Sequence, residues 1–291
     1  MSKRRRWLAI VNPTSGAMRR RAFSDFWMRR LRYAATKIAI CERPGDAASI
    51  LADERDFDGI AVVGYGTVFD MLPALDAGTQ CLTVFPAGRG NSLARAFGFD
   101  AMAKAMAALW DGVEQPMDLL LLRITHGDGR VEQKVCASAI AIGYDASVAA
   151  RADDFPGAGR HGYALAGLVT APKKLSLQLG YDGEALRSRM LTGLVIGNIS
   201  HVAQHCRFPQ ARLDDGRLHA MELEAPRLRQ VAGNLALLAG ANPAGPSRSA
   251  RRVQVQLQAP MPLMVDGEIL DDVLEFSVDC VASAIVCNRG A

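Results

Sequence analysis

Long hydrophobic runs are missing from this sequence of 291 residues. No apolar stretch approaches the ~20 residues that a helix needs to span a bilayer. The first residues are basic and lead directly into a short strand pattern at 7–11, so the pattern of a secretory signal is missing too. We therefore expect a cytoplasmic protein without a transmembrane segment.

Closely spaced cysteines are also missing. The six cysteines lie far apart, at positions 41, 81, 136, 206, 280 and 287, and form no CxxC pair. This spacing excludes a zinc site built on CxxC pairs and argues against a disulfide framework. We expect reduced thiols, most of them inside apolar strands.

Acidic residues are scarce at the N-terminal end. Residues 1–32 contain ten Lys or Arg and a single acid, Asp25, although the whole chain has a net charge of only +4. Apolar residues recur here at helical spacing, which predicts a helix with one apolar and one basic face. The apolar positions are Phe23, Phe26, Trp27, Leu31 and Ala34.

The two faces of this helix lead to different expectations. We expect the apolar face to pack against the chain's own sheet. The basic face includes Arg19, Arg20 and Arg21 and predicts peripheral, salt-sensitive contact with an anionic membrane surface, with a merely solvated surface as the alternative. No nucleic-acid binding is expected, because the aromatic residues here cannot be distinguished from core packing.

The first part of the chain alternates strand and helix patterns. The strand patterns lie at 7–11, 37–41, 59–63 and 81–85, and the helical patterns at 20–34, 46–54, 67–77 and 91–111. A βαβ series of this kind predicts a largely parallel sheet.

Strand patterns dominate after residue 116, with Asp-Gly pairs at 128–129 and 182–183 that favour hairpin turns. The predicted strands lie at 117–125, 131–142, 175–181, 187–196, 218–223, 253–257 and 273–278, two helices at 163–169 and 228–238, and a loop at 241–249. The fold class is therefore α/β with two domains. Residues 1–120 form a parallel-sheet nucleotide-binding domain, and residues 121–279 a β-rich, antiparallel, sandwich-like domain.

Glycine-containing loops follow three predicted strands of the first domain, at 12–16, 64–67 and 86–91. The carboxyl ends of parallel strands meet at one sheet edge, where free N–H groups attract phosphate. Glycine permits close backbone approach, and Ser15, Thr67 and Asn91 are suited to cap the helices behind the loops. Three such loops together predict a nucleotide site.

These motifs resemble those of the diacylglycerol kinase-like lipid kinases, which include the bacterial diacylglycerol and lipid kinases and the sphingosine and ceramide kinases. The family's Asn-Pro-x-Ser-Gly matches residues 12–16, its Gly-Gly-Asp-Gly-Thr matches 63–67, and its Pro-x-Gly-Thr-x-Asn-Asp matches 86–92. Further on, Asp-Asp-Gly-x-Leu matches 214–218 and Asp-Gly-Glu matches 266–268. The resemblance covers nearly the whole chain.

The resemblance implies ATP-dependent phosphorylation of a hydroxyl group on a lipid such as diacylglycerol, ceramide or a sphingoid base, with Mg²⁺ at the phosphates. It also implies that residues 280–291 return to the first domain. Nucleotide contacts are implied for Asn12, Ser15, Gly64, Tyr65, Gly66, Thr67, Gly88, Arg89, Gly90 and Asn91.

The resemblance also implies roles for three carboxylates. Asp266 is the implied proton acceptor, and Glu268 beside it supports the metal or the orientation of the substrate. Asp215 matches a structural Mg²⁺ site. Carboxylates suit these roles because they accept a hydroxyl proton and bind the hard Mg²⁺ ion.

Four residues depart from the family motifs at the nucleotide site. Tyr65 stands where the family has an acid, Arg89 replaces Thr, Ser92 replaces Asp, and Val63 replaces the first Gly. One interpretation is a rebuilt site in which Arg89 binds phosphate and Tyr65 stacks on a base. The alternative is a catalytically impaired kinase-like protein that binds a lipid in a regulatory or carrier role.

One more pair of residues would be spaced as two ligands of a metal if it lay in a helix. His201 and His205 are four positions apart, but they follow a strand-like run. We expect these histidines to be ordinary loop or pocket residues and not ligands of a metal.

Overall fold

A computed structural model describes residues 5–43, 45–88, 90–155, 162–202, 206–224 and 247–290. The chain divides into two compact units. The first comprises residues 1–117 and 283–291, and the second comprises residues 118–282.

The first unit is an α/β layer structure around a parallel sheet. Its strands are β1 (Trp7–Val11), β2 (Lys37–Ile40), β3 (Gly59–Val63) and β4 (Cys81–Phe85). Its α-helices are α1 (Arg21–Ala34), α2 (Asp46–Asp53), α3 (Tyr65–Met71), α4 (Ser92–Ala96) and α5 (Met102–Asp111). Short 3₁₀ turns span Gly16–Arg19 and Leu72–Ala74.

The sheet of this unit is parallel, in the order β4–β3–β1–β2. Every residue of β1, β3 and β4 is buried, as expected for parallel strands covered by helices on both faces. Near the C-terminus, Val286 and Cys287 pair with β4, also in parallel. The prediction of a parallel N-terminal sheet is confirmed.

One predicted helix of the first unit is wrong in its extent. The pattern at 91–111 forms two helices, α4 and α5. Gly98 adopts a φ of +87° after the first of them, and Phe99 N–H donates to Ala94 O at 2.8 Å. This left-handed glycine ends α4 and reverses the chain.

The helix α1 differs from expectation in which residues it buries. Leu31 and Ala34 are buried, as predicted. Phe26, however, is 43% exposed, and Phe23 and Trp27 are only half-buried. The prediction that the whole apolar face packs inward is therefore wrong.

The second unit is β-rich. It contains the larger parts of two long strands, β5 (Val113–His126) and β16 (Glu268–Arg289), which cross the unit boundaries. The other strands are β6 (Val131–Cys136), β7 (Ala139–Gly143), β8 (Leu175–Tyr181), β9 (Arg187–Leu191), β10 (Gly193–Gly197), β11 (His201–Val202), β12 (Cys206–Arg207), β13 (Leu218–Leu223), β14 (Arg248–Ala250) and β15 (Arg252–Val265). Two α-helices are present among the described residues, α6 (Tyr144–Arg151) and α7 (Gly162–Val169), and a 3₁₀ turn spans Ala152–Asp154.

Antiparallel pairing organises this unit. The strands run in the order β14–β13–β10–β7–β15–β16, β8 pairs with β15 and β9, and β5 pairs with β6 and β16. Alternate residues of these strands form an apolar core that includes Leu122, Ile142, Leu194 and Phe276. The prediction of a β-rich C-terminal region is confirmed.

Two predicted strands of the second unit are interrupted. The pattern at 131–142 breaks at Ala137 and Ser138, whose backbone N–H groups bond to a side chain and not to a neighbouring strand. The pattern at 187–196 breaks at Thr192, whose N–H and hydroxyl both donate to Leu223 O. These breaks are tertiary in origin, because the partners are distant in sequence.

Three further differences concern a helix that was not predicted, a predicted loop and a predicted helix that cannot be compared with the structure. Helix α6 was not predicted. Part of the predicted loop at 241–249 is strand, since Ser249 pairs with His219. The predicted helix at 228–238 lies outside the described residues.

Two further observations concern the cysteine side chains and the lengths of the helices. The described cysteine side chains are all free thiols, as predicted for Cys41, Cys81, Cys136, Cys280 and Cys287. None of the described helices is long and apolar enough to cross a membrane.

Candidate functional site

The three glycine loops of the first unit lie against one another. Asn12 N–H donates to Val63 O at 3.0 Å, which joins the loop after β1 to the end of β3. Ala17 N–H donates to Ala87 O at 2.9 Å, which joins the first loop to the loop after β4. The sheet edge thus brings together the segments that the sequence singled out.

Two glycines make this close packing possible. Gly64 has a φ of +128°, and a Cβ added there would lie 3.0 Å from the Ser15 hydroxyl oxygen. Gly16 has a φ of +38°, and its added Cβ would overlap the Ala87 carbonyl oxygen. Any larger residue at either position would separate the loops.

Gly66 has a different environment. A Cβ added at Gly66 would meet no described atom within 4 Å. Neighbouring Thr67 is buried, and its hydroxyl has no hydrogen-bond partner within the described part of the chain. An unsatisfied buried polar group is a feature that a ligand or water completes.

The predicted helix caps are wrong. Ser15 and Asn91 occupy N-cap positions but make no side-chain capping hydrogen bond, and Thr67 lies inside α3. Asn12 instead uses its side-chain oxygen to accept the N–H and hydroxyl of Thr14, at 2.9 and 2.8 Å. The Asn12 side chain thus shapes its own loop and does not cap a helix.

The third loop is described in part. Gly88 and Gly90 flank Arg89, which lies outside the described residues, as does the side chain of Tyr65. Ser92, at the position of a family acid, is buried with 4% exposure.

In the second unit, Asp266 and Gly267 form the tight turn between β15 and β16. Their φ angles are +51° and +92°, and Val265 pairs with Glu268 across the turn. Two left-handed residues in a two-residue hairpin define the turn that Asp-Gly favours. This turn determines where Asp266 and Glu268 lie.

The Asp266 carboxylate is buried and surrounded by donors. Ala137 N–H donates to Oδ2 at 2.7 Å, and Ser138 and Ala139 N–H donate to Oδ1 at 2.8 and 3.0 Å. The Ser138 hydroxyl donates to the same oxygen. Asp266 therefore binds the segment between β6 and β7, and these partners were not apparent from the sequence.

Two opposing effects act on the pKa of Asp266. Burial raises the pKa of this carboxyl above its ordinary value, and the hydrogen bonds from Ser138, Ala137 and Ala139 oppose the rise. The side chain is only 4% exposed, so its accessible surface is minimal. Its contacts are those of a group that holds a turn in place.

Glu268 is the more accessible carboxylate of this motif. Its side chain is 48% exposed and forms an ion pair with Lys134, at 3.6 Å between Oε2 and Nζ. An ion pair this exposed contributes only about 0–1 kcal/mol. Glu268 can therefore exchange this partner for another at little energetic cost.

Asp215 lies in a separate turn. Its Oδ1 accepts Arg217 N–H at 2.9 Å, and its Oδ2 accepts Arg212 N–H at 3.1 Å and lies 3.0 Å from His219 Nε2. Nearby, Gly216 N–H donates to the buried Asp118 carboxylate at 2.6 Å.

These contacts bear on the predicted metal role of Asp215. The described contacts of its carboxylate are with nitrogen donors, whereas Mg²⁺ takes oxygen ligands, often one or two carboxylates completed by water. Within the described ranges, no group of three or more His, Cys, Asp or Glu residues could hold a metal ion. The Mg²⁺ role of Asp215 stays a prediction, and no step of the proposed reaction depends on it.

His201 has no such group around it either, as far as the described residues extend. Its Nδ1 lies 2.9 Å from the Ser200 hydroxyl oxygen, and His205 lies outside the described residues.

The fold is similar to that of bacterial diacylglycerol kinases of known structure. A crystal structure of a diacylglycerol kinase from Bacillus anthracis str. Sterne superposes with a TM-score of 0.75 and 19% identity, covering 100% of this chain and 99% of that chain. A second structure from that organism has a TM-score of 0.76 and 17% identity, with coverage of 100% and 99%. At such identities the likeness shows the fold alone.

A sequence match covers the first part of the chain. Residues 6–122 match the family described as diacylglycerol kinase catalytic domain. The resemblance to the diacylglycerol kinase-like lipid kinases is confirmed, and the match supports lipid kinase activity in general. Among curated proteins, none matches this chain.

The contacts of Asp266 lead to a prediction. In Asp266→Asn, the turn conformation is retained because Asn also tolerates positive φ, but an NH₂ group would replace one acceptor oxygen among N–H donors. We expect the free energy of unfolding to fall by about 2–3 kcal/mol, as measured by urea denaturation.

Asp128→Asn is the matched control. Asp128 also lies in an Asp-Gly turn, but it is exposed and accepts one backbone N–H, from Arg130. We expect its stability to change by less than about 0.5 kcal/mol. Equal stability losses in the two variants would contradict a structural role for the Asp266 carboxylate.

Proposed function

We propose that the protein is an ATP-dependent kinase that phosphorylates a hydroxyl group of a lipid. The observation that carries this proposal is the mutual packing of the three glycine loops, in which Gly66 adjoins open space and the buried Thr67 hydroxyl has no partner among the described residues. The family match supports lipid kinase activity in general, and kinases of this family use ATP, usually with Mg²⁺.

We assign nucleotide binding to the first unit. The loops containing Asn12, Ser15, Gly64, Gly66, Thr67, Gly88, Gly90 and Asn91 would receive the phosphates, together with Tyr65 and Arg89. Gly66 leaves room for a phosphate to approach the backbone. Because positioning and charge neutralisation supply most of the acceleration in phosphoryl transfer, a rigid cradle is the main requirement.

The reaction requires a proton acceptor. The lipid hydroxyl oxygen bonds to the γ-phosphorus, the bond from this phosphorus to the β,γ-bridging oxygen breaks, ADP leaves, and the hydroxyl proton passes to a carboxylate. A base must reach the proton within hydrogen-bond distance. Glu268 is half-exposed, whereas Asp266 is buried under donors.

We therefore propose to exchange the roles that the resemblance implied for these two residues. Glu268 accepts the proton, and Asp266 is a positioning residue that fixes the turn from which Glu268 extends. Mg²⁺, bound with ATP, would neutralise phosphate charge. Neither Tyr65 nor Ser92 provides a carboxylate for it.

A lipid substrate requires that the protein act at a membrane surface. None of the described helices could cross a membrane, so the proposed contact is peripheral, and the charge of the N-terminal region favours anionic lipid. We propose a cytoplasmic protein that associates with the membrane reversibly.

A second candidate is a kinase-like protein that binds a lipid without phosphorylating it. The replacement of two family acids by Tyr65 and Ser92 favours this alternative, because a phenol and a hydroxyl are poor ligands for Mg²⁺. The two candidates differ in nucleotide binding and turnover, and the experiments below separate them.

The decisive experiment is a kinase assay with a lipid panel. The purified protein is incubated with ATP and Mg²⁺ and with diacylglycerol, ceramide, sphingosine or phosphatidylglycerol in detergent micelles, and products are analysed by mass spectrometry. We expect one phosphorylated lipid, lost when EDTA is added. Lipid binding without any product would instead establish the second candidate.

Glu268→Gln tests the proton acceptor. We expect kcat to fall at least about 100-fold, the lower end of the usual contribution of a general base, while thermal stability stays unchanged. Glu275→Gln, on the exposed side of the same strand, is the control and should retain full activity. Unchanged kcat in Glu268→Gln would remove this residue from the mechanism.

Gly66→Ala tests the nucleotide cradle. The added methyl would enter open space and improve helix propensity by about 0.5–1 kcal/mol, so stability should not fall. We expect KM for ATP to rise roughly tenfold because the methyl occupies phosphate space.

Gly78→Ala is the matched control for this variant. A Cβ at Gly78 would meet Asp76 at an ordinary 3.5 Å, in an exposed turn away from the loops. An unchanged ATP affinity of Gly66→Ala, measured by calorimetry, would show that nucleotide does not occupy this space.

A further inference from the structure

The helix α1 presents an aromatic stripe to solvent. Phe26 is 43% exposed and Tyr33 is 84% exposed. These residues are seven positions apart and therefore lie on the same face of the helix. Half-buried Phe23 and Trp27 lie beside them, and we call these four residues the α1 aromatic face.

The rings of this face are ordered against one another. The Phe26 and Trp27 centroids are 5.1 Å apart with their planes at 89°, and those of Phe23 and Trp27 are 6.2 Å apart. Edge-to-face packing of this kind stabilises aromatic pairs beyond the effect of burial. The face is therefore a preformed surface.

Arginine side chains cover the rings. The Arg30 guanidinium carbon lies 4.6 Å from the Phe26 centroid and 5.8 Å from that of Trp27, and Arg20 lies 5.6 Å from that of Phe23. Residues 19–32 contain six arginines and one acid, Asp25. Asp25 forms only a long, exposed ion pair with Arg21, at 3.9 Å.

This combination matches the chemistry of an anionic lipid surface. Arginine interacts with phosphate headgroups in bidentate geometry, and each basic residue near such a surface adds electrostatic attraction. Aromatic rings bind at the level of the headgroups, where one part of the ring is apolar and its surroundings are polar. An amphipathic helix with both features lies in the plane of the interface.

We propose that α1 docks the protein on an anionic membrane, with Phe26 and Trp27 inserted among the headgroups and arginines 20, 29 and 30 bound to lipid phosphates. The proposal names the membrane contact of the proposed lipid kinase and so rests on that function. Docking has an electrostatic part and an apolar part, and salt weakens only the first.

The test measures vesicle binding without nucleotide. The full-length protein is co-sedimented at low and at high salt with two kinds of vesicle. One kind is phosphatidylcholine alone, and the other contains about 30% phosphatidylglycerol to supply anionic headgroups. We expect strong binding to the anionic vesicles and reduced but measurable binding at high salt. Equal binding to both vesicle types would overturn the proposal.

Two variants separate the two parts of the interaction. Phe26→Gln should weaken binding about fivefold at either salt concentration, as expected for partial burial of one ring. The double variant Arg29→Gln, Arg30→Gln should weaken it roughly tenfold at low salt and little at high salt. Wild-type binding by both variants would overturn the proposal.

Matched controls come from the same unit. Trp110 is 52% exposed on α5, and Arg55 is an exposed arginine outside α1. Trp110→Gln and Arg55→Gln should bind as wild type does. If these changes weaken binding as much as the α1 variants do, the docking surface is not α1.

Fluorescence locates the inserted ring. The chain has three tryptophans, and Trp7 is buried with 3% exposure. In Trp110→Phe, a response to vesicles therefore reports Trp27. We expect a shift to shorter wavelength and quenching by brominated lipid, and no response would overturn the insertion.

Other occupants of the face are outcomes of the same experiments. A dimer in analytical ultracentrifugation that Phe26→Gln dissociates, without vesicle binding, would assign the face to a second copy. Tighter binding to an oligonucleotide than to anionic vesicles would assign it to nucleic acid. Vesicle binding by a protein that phosphorylates no lipid would leave the docking surface intact and remove the kinase.

Discussion

The second unit depends on the burial of one carboxylate. Removing a polar group from water is costly unless hydrogen bonds replace the lost hydration, and Asp266 obtains them from three consecutive backbone N–H groups at 137–139. Those N–H groups are therefore lost to strand pairing, so β6 ends and β7 begins. The same contacts hold the turn between β15 and β16 and thereby define the position of Glu268.

The glycines of the first unit serve two physical purposes. Gly16 and Gly64 are required by contacts between loops, because a Cβ at either position would meet a neighbouring loop. Gly66 adjoins open space and makes no such contact. Packing between loops therefore restricts Gly16 and Gly64, whereas it places no such restriction on Gly66 among the described residues.

In helix α1, the spacing of apolar residues predicted the helix face correctly but not how deeply each residue is buried. The spacing of Phe23, Phe26, Trp27, Leu31 and Ala34 identified one face of a helix. Periodicity reports direction around the axis and not the depth of burial, which depends on what the neighbouring elements cover. Leu31 and Ala34 near the C-terminal end are covered, whereas Phe26 is left in solvent beside arginine side chains.

The sequence by itself determined the alternating strands and helices of the parallel sheet, the β-rich character of the second half and the likeness of residues 6–122 to the diacylglycerol kinase catalytic domain, because these follow from local hydrophobic patterns and short motifs. Only the tertiary structure decided which residues of a motif are accessible. Asp266 and Glu268 are two positions apart, yet one is buried among N–H groups and the other is half-exposed beside Lys134. The partners of Asp266 lie more than a hundred residues away, and no local pattern contains them.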